Sequence, residues 1–130
     1  MTMKKLLIVT AIVEAGAGVA LLGLPSVTAS LLLGTALETN AAVSLARVGG
    51  AAIVALSIVC WLTREAQERA ARGVITAMVF YNLAVAGVLV SASFADDLRG
   101  MLLWPAVAFH VAMGAWCIAT LSQSHDRASP

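Results

Sequence analysis

Glu14, Asn82 and His110 are a carboxyl, an amide and an imidazole set in otherwise apolar stretches, the first of them in the middle of TAIVEAGAGV. A carboxyl and an imidazole can take up and release protons, and a carboxyl beside an amide can hold a cation. Arg47 adds a guanidinium able to neutralise the carboxylate, and Tyr81, next to Asn82, adds a hydroxyl. A charge left unpaired at the centre of a bilayer costs at least about 3 kcal/mol, so such residues face a bundle interior or a water-filled cavity.

Their depths are close. At about 1.5 Å per residue, Glu14 and Asn82 fall about 12 Å in from one surface and His110 about 14 Å in from the other, which in a core of about 30 Å makes one layer. Arg47 lies about 8 Å in, near enough to snorkel to the headgroups and near enough to turn toward Glu14. An ion pair between Glu14 and Arg47 is the preferred arrangement, with Asn82, His110 and Tyr81 completing a buried polar network. Proton exchange at Glu14 requires Arg47 to turn away.

The elements that must position these groups follow from composition. Of 130 residues, 61% are hydrophobic and only 12% charged, against roughly a quarter charged in soluble domains. The abundance of Ala, Val, Leu and Gly suits closely packed helices rather than the alternating strands of a barrel. Residues 6–24, 42–62, 74–94 and 101–121 each supply the roughly 20 apolar residues that a crossing helix needs. The expected fold is therefore all-α, an integral membrane four-helix bundle in one domain, 1–121, with a polar, disordered cytoplasmic tail at 122–130.

Lys4 and Lys5 before the first span, Arg64, Arg69 and Arg72 between the second and third, and Arg127 after the fourth place both termini inside by the positive-inside rule. An alternative makes Lys4 and Lys5 the basic start and residues 6–24 the apolar stretch of a signal peptide cleaved after Ala29 at Val27-Thr28-Ala29, leaving three spans; Glu14 and the length of the apolar run argue against it. Cys60 and Cys117 then fall on the reducing side, where small buried hydrophobes are expected rather than a disulfide.

Orientation of the polar groups inward selects Thr10, Ala11, Glu14, Ala17, Gly18 and Leu21 on the first span. It selects Arg47, Gly50, Ala51 and Val54 on the second, and Ala106, His110, Met113, Gly114 and Cys117 on the fourth. Residues 25–34 read as a short interfacial helix with Pro25 in its first turn and Gly34 at its end, and Thr39 or Asn40 as the cap of the second span. Residues 63–73 read as a helical extension bearing the i,i+4 pairs Arg64/Glu68, Glu65/Arg69 and Glu68/Arg72. Asp96 and Asp97 are expected to cap the fourth span, and Trp61, Trp104 and Trp116 to anchor span ends at the interface.

No phosphate-binding glycine loop and no zinc-type Cys/His spacing occur, and nucleic acid has no basic surface to bind. A haem would want a second histidine within the membrane, so no cofactor is implied. AIVEAG at 11–16 resembles the carboxylate-bearing first helix of small multidrug resistance exporters, without that family's lining aromatics or glycine-rich third helix. ARVGGAA at 46–52 and LLWPAVAFH at 102–110 make the whole chain similar to DoxX-like small bacterial membrane proteins. That resemblance implies a four-helix protein of the bacterial inner membrane, with an accessory role beside membrane redox complexes.

The leading expectation is thus an inner-membrane accessory or interaction subunit whose polar network is structural. Its partners would be the lipid bilayer and another membrane protein or a second copy of itself. The alternative is a homo-oligomeric transporter or channel with Glu14 as its proton or cation site. An enzyme ranks third, since no nucleophile and base stand at a suggestive spacing.

Overall fold

In a computed structural model that describes residues 3–126, those residues form five α-helices: α1 (Met3–Gly23), α2 (Pro25–Leu33), α3 (Asn40–Thr63), α4 (Glu68–Ala95) and α5 (Leu103–Asp126). Four of them, all except α2, are long and apolar enough to cross a membrane, which makes the chain a multi-pass membrane protein.

Local chemistry marks the boundaries. Pro25 opens α2 and forces the bend from α1, and Gly34 ends it in the left-handed region at φ 81°. Thr39 adopts an extended conformation and its Oγ1 accepts from Ala42 N at 3.1 Å, capping α3. A short turn closed by Ala66 N donating to Thr63 O separates α3 from α4. The charged segment is therefore a turn followed by the first residues of α4, not an unbroken extension.

The long helices associate as two pairs, α1 with α3 and α4 with α5, and contact between the pairs is sparse. The first pair meets backbone to backbone. A Cβ added at Gly50 would lie 2.6 Å from Leu22 N and 2.8 Å from Gly18 O, and one at Gly18 would lie 2.8 Å from Val54 N. Only glycine permits that approach, which is how small residues promote helix association where lipid removes the hydrophobic drive.

Three layers join the pairs. At the end carrying Lys4, an apolar cluster combines Leu6, Leu7 and Ala11 with Cys60, Ile75, Met78, Met113 and Cys117, so all four spans contribute. At the other end Leu89, Leu103 and Val107 pack with Leu32 and Leu33 of α2. There Leu102 N donates to Leu31 O at 2.9 Å, and a Cβ at Gly100 would fall 2.2 Å from the Leu32 carbonyl carbon. Thus α2 lies across the α4–α5 connection and ties it to the first pair. The polar layer lies between these two clusters.

Several expectations change. Asp97 at φ 52° bonds Arg99 at 2.8 Å in the connection, and α5 begins only at Leu103, so neither aspartate caps that helix. Residues 122–126 continue α5 rather than forming a tail, and 127–130 lie outside the described residues. Trp61 and Trp104 are exposed, as interface anchors are, but Trp116 packs against the first cluster with its Nε1 buried and unpartnered.

Candidate functional site

Glu14 follows Thr10 by one helical turn, so both point from α1 toward the second pair. Both are buried, Glu14 to 3% exposure and Thr10 to 2%. Tyr81 on α4 donates its hydroxyl to Glu14 Oε2 at 2.8 Å, and this bond crosses between the helix pairs. Thr10 Oγ1 has no hydrogen-bond partner.

Asn82, the residue after Tyr81, points about 100° away around α4 and faces α5. It is 1% exposed; its Nδ2 donates to Met78 O at 2.8 Å, leaving Oδ1 to meet His110 Nδ1 at 2.9 Å. With the amide so oriented, the ring donates from Nδ1 to Asn82 Oδ1, and Nε2 is the ring nitrogen without a protein partner. Gly114, one turn beyond His110, gives the room: a Cβ there would lie 3.6 Å from the Asn82 side chain.

The two bonds are joined through rings. Tyr81 meets the His110 ring edge to face at 5.8 Å between centroids, and Phe109 flanks it at 5.6 Å. Glu14, Tyr81, His110 and Asn82 therefore form one constellation built from α1, α4 and α5.

Arg47 is not part of it. The guanidinium is exposed on α3 and forms no ion pair with Glu14, so the expected Glu14–Arg47 pair is corrected. Rotation of α3 explains the difference. The Gly18–Gly50 contact fixes Gly50, Ser57 and Cys60 in the seam, and Arg47 lies about 60° round the helix from Gly50. Ala51 is exposed for the same reason, and Ala17 on α1 is exposed too. The remaining selected residues of α1, α3 and α5 are buried or half-buried.

Cys60 and Cys117 are free, fully buried and part of the same apolar cluster. Among the described residues no three His, Cys, Asp or Glu side chains converge as metal ligands do. Sequence reasoning missed the tyrosine as the partner of Glu14. The available signal was position alone: a tyrosine at mid-depth needs a polar partner there.

The site can hold a proton or a small cation at Glu14, with a neutral hydroxyl as its protein donor and a second polar pair one ring away. No family model, no curated protein and no solved structure matches this chain.

Proposed function

We propose that this is a small multi-pass protein of the bacterial inner membrane, termini cytoplasmic, acting as a homo-oligomeric transporter or channel in which Glu14 binds and releases a proton or small cation. One observation carries the reading: the mid-membrane carboxyl is bonded to Tyr81 and not to Arg47. With no cation of the protein against it, a carboxylate so deeply buried needs a proton or an external cation to balance it. Because the Glu14–Tyr81 bond also joins the helix pairs, exchange at Glu14 alters the contact between them.

The test is flux in proteoliposomes under an imposed proton gradient, read with an internal pH dye. Glu14→Gln is expected to abolish the flux while the protein stays folded. Unchanged flux in that variant overturns the proposal.

A second reading, an accessory subunit beside another membrane protein, rests on Arg47. It is exposed between Leu45 and Val48, also exposed, on the span that buries the least of its surface. A neighbouring helix bearing a carboxylate at that depth would satisfy it. The resemblance of the segments at 46–52 and 102–110 to DoxX-like proteins, read from sequence, points the same way. Native mass spectrometry of the protein released from its own membranes separates the two: a homo-oligomer fits transport, and a stoichiometric complex with another protein fits the accessory role.

A further inference from the structure

From the Gly18–Gly50 contact toward the end carrying Lys4, α1 and α3 enclose a groove of about 240 Å³ lined by Ala11, Ile12, Ala15, Ser57, Ile58 and Trp61. Its lining is apolar; Ser57 spends its hydroxyl on Val54 O at 2.7 Å. The touching backbones of Gly18 and Gly50 lie at its inner end, and Ile12, Ile58 and Trp61 along it are exposed.

Its outer end is basic. The Arg64 guanidinium stacks over the Trp61 ring, 4.0 Å from its centroid, and Nη1 donates to Trp61 O. That uses one of five N–H donors. Lys4 and Lys5 precede Ala11 and Ile12 by seven residues, two turns, and so share their face of α1. The carboxylate bonded among these three cations is Glu65, through Lys4 at 2.9 Å. An apolar slot in the membrane with a surplus of positive charge and a tryptophan at its mouth matches one kind of molecule, a lipid with a negative headgroup.

We infer that the groove between α1 and α3 binds one acyl chain of an anionic phospholipid from the adjoining leaflet, whose phosphate lies against Arg64 and the lysines above Trp61. Trp61 is at once a wall of the slot and the platform that holds Arg64 at its rim. The assignment is independent of any activity at Glu14.

The test uses Trp61 as the reporter. In a Trp104→Phe, Trp116→Phe chain in nanodiscs of phosphatidylcholine, phosphatidylglycerol brominated on its acyl chains should quench Trp61 at several-fold lower mole fraction than brominated phosphatidylcholine. Arg64→Gln should weaken that preference about fivefold, the loss of one basic side chain near an anionic headgroup. Ala15→Leu should reduce quenching by both lipids. Equal quenching by the two brominated lipids, or an unchanged preference in Arg64→Gln, overturns the site and leaves only annular lipid. Should Trp116→Phe disturb folding, native mass spectrometry of the unaltered chain reads the same preference: one phosphatidylglycerol retained over phosphatidylcholine and lost in Arg64→Gln supports the site, and equal retention overturns it. Competition by inorganic phosphate alone would likewise overturn a lipid occupant.

Discussion

Tyr81 and Glu14, 67 residues apart, meet at 2.8 Å through the hydroxyl and Oε2 in the thin middle layer between the two helix pairs. The bond is side chain to side chain and buried on the carboxyl side, so losing either partner strands the other in an apolar setting.

Tyr81→Phe and Glu14→Leu, each of which removes one side of the bond, are therefore expected to be coupled. A double-mutant cycle on unfolding in mixed detergent should give an interaction of about 1–3 kcal/mol. Additive losses would show that the bond contributes nothing to the fold.

Arg47→Gln should behave differently. Exposed and unpaired, it is expected to change stability by no more than about 0.5 kcal/mol and to add independently to Glu14→Gln in the same assay. A coupling above that size would mean that the guanidinium reaches Glu14 after all.

Gly50→Ala should cost about 1–3 kcal/mol, because the new Cβ would meet the backbone of Leu22 and Gly18 and drive α1 from α3. Gly16→Ala is the control, since nothing lies within 4 Å of its Cβ position. Thermal unfolding of the two variants side by side should show a loss only in the first.

The contact between Lys4 and Glu65 predicts an acid dependence. The hydrogen bond and charge of Lys4, with Arg64 nearby, hold the Glu65 carboxyl below its ordinary 4.5. A carboxyl lowered in the folded state contributes stability above its unfolded value and loses it as pH falls through the folded one. The Glu65 carboxyl carbon should therefore titrate by NMR below 4.5 and return toward it in Lys4→Gln. Because the pair is exposed, high salt should bring the same return.

The spans were legible because their signal is long and cumulative: each apolar run is bounded by charge, Pro or Gly. Pro25 and Gly34 marked α2 with equal clarity, since proline locks its own φ at a helix start and glycine alone enters the left-handed region without strain. The depth of the polar layer could also be read, for rise per residue is constant. Rotation could not. Whether Arg47 or Gly50 faces α1 depends on a difference of about 60° in the setting of α3, decided by how near Gly18 and Gly50 approach in three dimensions. The pairing of α1 with α3, and the lodging of Gly100 against Leu32, likewise arise from contacts distant in sequence. Charge complementarity pointed from Glu14 to Arg47, and packing sent the carboxyl to a tyrosine.

The separation of Glu14 from Tyr81 has a consequence for biogenesis. At about 5–20 residues per second of synthesis, the 67 residues between them take on the order of several seconds to emerge. During that interval α1 can already join α3 through the two glycines, while its carboxyl waits in the membrane without its donor. The bond to Tyr81 can therefore form only after α4 has followed the first pair into the membrane, and the arrival of α4 completes the burial of the carboxyl.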